Sequence, residues 1–353
     1  MGINDILAAI GVLFDSLPQG LIAMFYGFAA FPTAIGFGIA ALGALVWGLP
    51  TPVAFQAETT ILAGGLGKNV KERISIIVIA GVVMTILGTM GTLGSIVEFI
   101  GKDILNGMLA GVGIILVKAS LDLLKTNLPG GITSFLIAIP VWFITHNLIY
   151  ACVSSVILGS VANQIYKYIK KPEAEEAVSV QYHTEERLKF VKPIFNFNII
   201  RGALAVIMLQ IGGNITYGTI TAGMANTTAQ VDKLSIIGGA ATTASGLFGG
   251  APLAAIISAT ATAPHPVTAG ILLMALAAAV IASRAFYRFG RLVPVSAVSG
   301  YLFVLGAVLV FPPSIAAAMG GNTLISGITA VVTATTDPFI GMIAGILLRT
   351  FGF

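Results

Sequence analysis

The chain has 353 residues, 57% of them hydrophobic and 9% charged, with a net charge of +4 and a mean hydropathy of +0.99. A water-soluble fold of this length could not hide so much apolar surface, so the class is an integral membrane protein. A lone cysteine, Cys152, excludes an intrachain disulfide framework and a multi-thiolate metal site, and basic loops without an aromatic-interleaved patch give no case for nucleic acid.

The N-terminal M-G-I-N-D-I-L-A-A-I carries no basic stretch ahead of its apolar run, so the first span is expected to be retained rather than cleaved. That span is placed at residues 4–30, with a break at Asp15-Ser16-Leu17-Pro18. Apolar runs follow at 74–93, 104–116, 132–144, 148–161, 199–211, 267–282 and 293–311. Many are shorter than the roughly 20 residues of a straight span. They predict an all-α bundle of about 14 spans, several of them short, tilted or broken. Continuous rather than alternating apolar runs argue against a membrane β-barrel. Lys118 and Asp122, four apart, are expected to pair or to snorkel at a span end. The long polar stretch at 167–193 reads as a solvated connector between halves of similar length. The first span of the second half is placed at 197–222, interrupted at Gly212-Gly213-Asn214.

Two Pro-led segments stand 200 residues apart: 52–63 (P-V-A-F-Q-A-E-T-T-I-L-A) and 252–263 (P-L-A-A-I-I-S-A-T-A-T-A). Over positions 38–63 this offset gives eight identities, among them Gly38/Gly238, Pro52/Pro252, Ala54/Ala254 and Thr60/Thr260. So Ala- and Gly-rich a composition gives roughly two or three by accident. Each copy follows an aromatic-Gly pair, Trp47-Gly48 and Phe248-Gly249. Seven spans per half, an odd number, makes the second copy enter from the opposite side, which is a 7+7 inverted repeat. Interrupted apolar segments at matching places in two halves point to a carrier's binding site, because freed backbone groups must face protein or a water-filled cavity.

The candidate residues follow from that placement. Phe55, Gln56 and Glu58 lie at the first break, and Ser258 and Thr260 at the second. Gln19, Gln210 and Asn214 flank the breaks expected in spans 1 and 8. An amide both donates and accepts, as the edge of a planar polar solute requires, although buried Gln also serves as glue between helices. Glu58 stands apart, because an acid inside a span costs about 2.5–3.5 kcal/mol on insertion scales. It is the candidate for proton or cation coupling, against the competing role of stabilising the first turn of a half-helix. Asp337 reads as a turn or cap and His265 as a loop residue at the interface. No phosphate loop, no H-E-x-x-H, no G-x-S-x-G and three scattered histidines leave no enzyme, cofactor or metal expectation.

With these residues in place, the chain resembles the nucleobase:cation symporter-2 family of uracil, xanthine and ascorbate permeases. Residues 17–32 (L-P-Q-G-L-I-A-M-F-Y-G-F-A-A-F-P) look like that family's span 1, 234–252 like its span 9 and the approach to span 10, and 292–309 like its span 12. The resemblance implies half-helices at spans 3 and 10 and movement of a core against a gate. The core is then residues 1–95 and 196–288, the gate 96–168 and 289–353, and the connector 169–195. It further implies a multi-pass plasma-membrane permease for a nucleobase. The coupling ion, H⁺ or Na⁺, stays open, as does a homodimer. The sequence departs from the family where it matters: Gly20 stands in place of a histidine, and Gln210 and Ser258 in place of acidic residues. Loss of those carboxylates suits an anion, which makes a small-anion carrier of the same architecture the alternative, with a passive channel behind it. In a 14-span count, basic clusters around Lys68, Lys125 and Arg284 place the N-terminus outside, opposite to the family's cytoplasmic termini, so that either the orientation is unusual or the span count is off by one.

Overall fold

A computed structural model describes residues 2–170, 188–286 and 293–352. Its first helix, α1 (Ile3–Phe25), runs unbroken through Pro18, so the break expected at 15–18 is absent. Proline removes one donor, that to the Phe14 carbonyl, and membrane helices tolerate this where neighbours compensate. Helix α2 (Ala30–Trp47) ends on Gly48 in the left-handed conformation, φ 63°. Strand β1 (Val53–Phe55) leads into the short α3 (Ala57–Leu66). Asn69 then caps α4 (Val70–Thr89), its Oδ1 accepting from Glu72 N at 3.0 Å.

The chain bends by 103° into α5 (Leu93–Ile100) and continues as α6 (Lys102–Thr126), α7 (Leu128–Thr145) and α8 (Leu148–Lys170). After residues outside the description, residues 188–196 dock on the bundle rather than extending into solvent: Val191 N donates to Leu247 O and Ile194 N to Ser75 Oγ. The remainder of the expected connector, 171–187, lies outside the described residues. Helix α9 (Phe197–Met224) is continuous across Gly212-Gly213-Asn214, correcting the expected interruption. Gly212 serves close packing instead, since a Cβ there would meet Met108 Cε at 2.8 Å.

Helix α10 (Val231–Leu247) and strand β2 (Leu253–Ala255) precede a single 3₁₀ turn at Ala259–Thr262. The second Pro-led segment therefore carries one turn where a half-helix was expected. Pro264 accounts for this, because the residue before a proline is driven out of the helical region, and Ala263 is extended at φ −70°, ψ 158°. Helix α11 (Pro266–Ala282) follows. A 3₁₀ turn at Val295–Val298 opens α12 (Ser299–Val304), a π-helical stretch Leu305–Val310 and α13 (Phe311–Ala318). Pro312 and Pro313 leave the Val308 and Leu309 carbonyls without α-helical donors, which is where the helix widens. Helices α14 (Thr323–Thr335) and α15 (Pro338–Thr350) close the chain.

Among the described residues, seven helices are long and apolar enough to cross a membrane, or eight if the bent α4–α5 pair is one span. The other elements fall short by length or composition, so the expected count of about 14 is not reached on that measure. Helices α1, α2, α3, α4, α9, α10 and α11 pack on one another, and so do α6, α7, α8 and the segments from α12 to α15. Small residues set the spacing: a Cβ on Gly81 of α4 would sit 2.8 Å from the Gly239 carbonyl of α10.

The Pro-led segments meet. Strands β1 and β2 pair antiparallel, with Val53 opposite Ala255, Ala54 opposite Ala254 and Phe55 opposite Leu253. Positions equivalent at the 200-residue offset, 54 and 254, thus face each other.

Candidate functional site

Beside this strand pair, a cavity of about 600 Å³ lies between the two packing groups. Helix α1 lines it with Val12, Asp15 and Gln19, spaced three and four apart on one face. The start of α3 contributes Gln56 and Glu58, and α9 contributes Thr216 and Tyr217. Across from them stand Trp142 and His146 at the end of α7, and Tyr301, Leu305 and Leu309 on the widened helix. Among the described residues no Lys or Arg lines it.

Gln19 reaches across to α3, where its Oε1 accepts from the Ala57 backbone N at 2.9 Å. Ala57 is the first residue of α3, so a side chain from another helix satisfies one of the donors that a helix start leaves open. Gln56 is held at both ends: Nε2 donates to Ala255 O at 3.3 Å, and Oε1 accepts from the Thr59 hydroxyl. Glu58, 6% exposed, occupies the second position of α3, where the helix dipole favours negative charge. Its Oε1 accepts from Tyr217 Oη at 3.3 Å. Asp15 and Tyr301 differ from these. Asp15 Oδ1 and the Tyr301 hydroxyl are buried without a hydrogen-bond partner. They face one another without a hydrogen bond of good geometry between these two atoms.

Of the residues singled out from the sequence, Gln19, Gln56 and Glu58 therefore meet at one cavity. Phe55 does not join them. It is 2% exposed and packs edge-on to Phe37 at 5.2 Å and stacked on Phe286 at 6.0 Å. Gln210 and Asn214 lie behind the wall on α9, Asn214 Nδ2 donating to Ser235 Oγ at 2.8 Å. Ser258 and Thr260 spend their hydroxyls on each other at 2.7 Å, and Ser258 Oγ caps the 3₁₀ turn through Thr260 N. Elsewhere Asp337 caps α15 through Ile340 N at 3.0 Å and also pairs with Arg201 at 2.6 Å. Asp122 pairs with Lys125 rather than with Lys118. His265 donates its backbone N to Asp5 Oδ1 at 2.9 Å.

Sequence reasoning gave no site role to Asp15, Tyr217, Tyr301, Trp142 or His146. The three-residue step from Asn214 to Tyr217 on one helix face was the available signal for Tyr217. For Tyr301 and Trp142, far along the chain, there was none.

The fold and cavity define a multi-pass helical membrane protein in which two interrupted segments pair beside a largely apolar cavity that holds a few polar groups. No family model matches the sequence, and no curated protein matches it. Solved structures do. The transmembrane domain of a cyanobacterium bicarbonate transporter, BicA, aligns with a TM-score of 0.61 at 17% identity, covering 95% of this chain and 97% of that one. Murine Solute Carrier 26 family member A9 (Slc26a9), an anion transporter in the inward-facing state, gives 0.69 at 15% identity over 99% of this chain. A second Slc26a9 structure gives 0.69 at 14%. This chain spans 68% and 64% of the length of those two chains. At such identities the likeness is one of fold. The expected likeness to nucleobase permeases finds no family match.

Proposed function

We propose that the chain is a secondary-active carrier of a small anion, working by movement of a core (residues 1–95 and 196–288) against a gate (96–168 and 289–353) around the cavity. On this reading the two Pro-led segments are the centres of a seven-plus-seven inverted repeat, with the elements too short to cross alone as its broken spans. The observation that carries it is the pairing of β1 with β2 beside the opening turn of α3, at a cavity between two packing groups, in a fold shared with anion transporters.

The nucleobase reading loses support at the same site. Gln56 is committed at both ends, and Phe55 is packed into the core, so neither amide edge nor stacking face is offered to a ring. The anion reading has its own demand. A carboxylate and an anion about 6 Å apart repel by ~3 kcal/mol at an effective dielectric of about 20. Glu58 and Asp15 share the cavity with no Lys or Arg among the described residues that line it, so an anion must enter with compensating positive charge. Glu58 takes part in that coupling.

A thermal-shift series on purified protein tests the substrate class, since a ligand of the folded state raises its stability. Sulfate, bicarbonate or a dicarboxylate is expected to raise the melting temperature. Stabilisation by xanthine or uracil alone overturns the anion reading.

A further inference from the structure

We propose that Asp15 and Tyr301 form a proton site of their own on the cavity wall, distinct from Glu58, at which a proton is taken up together with the anion. The inference rests on the carrier reading above and adds to it the identity of the coupling ion and the residues that hold it.

The two acids of the cavity are differently provided for. Glu58 has a phenol donor in Tyr217 and a place in the first turn of α3, and both support the carboxylate. Asp15 lies mid-way along α1, beyond the reach of either end of its helix, and its Oδ1 is buried with no donor. Opposite it stands Tyr301, fully buried, its hydroxyl equally without a partner. Ionised, Asp15 has only the neutral Tyr301 phenol to turn to and shares the cavity with a second carboxylate, Glu58; a proton on Asp15 removes that repulsion and leaves an acid O–H that can pair with the Tyr301 oxygen. The groups facing Asp15 are Tyr301 from α12, Glu58 from α3 and Cys152 from α8, with His146 and Tyr217 on the same cavity wall. Among the described residues no fixed cation lines the cavity to neutralise the acid instead.

The site suits a proton better than a metal cation. Hard cations replace their water with a shell of oxygens, whereas here one carboxyl and one phenol converge. The placement also gives coupling. Asp15 lies on α1, which packs on α11 and α3 and also on α8, and Tyr301 on α12, which packs on α6 and α7, so the proton sits where the two packing groups meet. Loading and release of the proton are then tied to their relative position.

Proteoliposomes containing the full chain test this, with labelled sulfate and labelled succinate as probes and the membrane potential clamped. In the wild type an acidic outside is expected to drive accumulation, approaching tenfold per pH unit for one proton per anion, with matching alkalinisation outside. Asp15→Asn is expected to lose this pH-driven component relative to exchange of labelled for unlabelled anion in the same vesicles. Tyr301→Phe is expected to shift its pH midpoint, and it decides the matter if the Asp15 variant does not fold. Undiminished pH drive in both variants, or accumulation driven by a Na⁺ gradient instead, overturns the proposal. Anion exchange without any pH drive in the wild type overturns it while leaving the carrier reading intact. Absence of exchange for every anion removes the carrier reading and the proposal together.

Discussion

Gln19 and Ala57 are 38 positions apart, yet the Gln19 side-chain oxygen accepts from the Ala57 backbone nitrogen at 2.9 Å and thereby caps a helix it does not belong to. This one bond fixes α1 against the first interrupted segment. It turns a helix start, which hydrocarbon does not tolerate bare, into part of a cavity wall.

Gln19→Ala is therefore expected to leave the Ala57 donor without its acceptor and to cost on the order of 1–2 kcal/mol. Thermal unfolding in detergent measures this. Gln19→Met, which keeps the side-chain volume and removes the acceptor, is expected to lose about as much; near-full stability in Gln19→Met would show that packing, not the bond, is at stake.

Gly20 explains itself through its neighbours. A Cβ there would lie 2.8 Å from both the Phe55 and Phe286 rings. Gly20→Ala is expected to destabilise by about 1–3 kcal/mol through overpacking, and a smaller ring-site side chain, Phe286→Leu, to relieve it in the double variant. A melting temperature unchanged in Gly20→Ala would mean that the ring cluster is loose.

Asp337 is fully buried and serves two partners, the Ile340 amide and the Arg201 guanidinium. Arg201→Ala leaves that carboxylate buried without its cation, whereas Asp337→Asn keeps an N-cap acceptor and no net charge. The arginine variant is expected to be the less stable, by roughly 2 kcal/mol after allowance for the partial exposure of Arg201. Chemical denaturation of both proteins checks the order.

Glu58→Gln is expected to abolish coupled uptake with expression intact, and Tyr217→Phe, which removes the donor to Glu58, to weaken it in the same direction. Uptake into vesicles at matched protein content measures both. Accumulation unchanged in Glu58→Gln takes Glu58 out of the mechanism.

Much of this was legible in the sequence because proline and offset are strong local signals. Pro52 and Pro252 marked the two segments whose strands pair, and the 200-residue offset put Ala54 and Ala254, which stand opposite each other, in equivalent positions. Pro18 and Gly212-Gly213 misled for a physical reason, since a proline or a glycine pair breaks a helix only when the neighbours do not compensate. In α9 Gly212 makes room for α6 rather than for a break. Pro264 acted in the other direction, by cutting the second segment to a single turn. Asp15 and Tyr301, 286 positions apart, could be brought together only by the packing of α12 against the cavity, and no local pattern encodes that.

Counterflow tests the central claim most directly. Vesicles loaded with unlabelled anion and placed in trace labelled sulfate, bicarbonate or succinate are expected to show a transient overshoot of label, which Gln19→Ala and Glu58→Gln diminish. Monotonic equilibration without overshoot for each anion, or an overshoot with uracil or xanthine alone, contradicts an anion carrier built on the paired segments at 53–55 and 253–255.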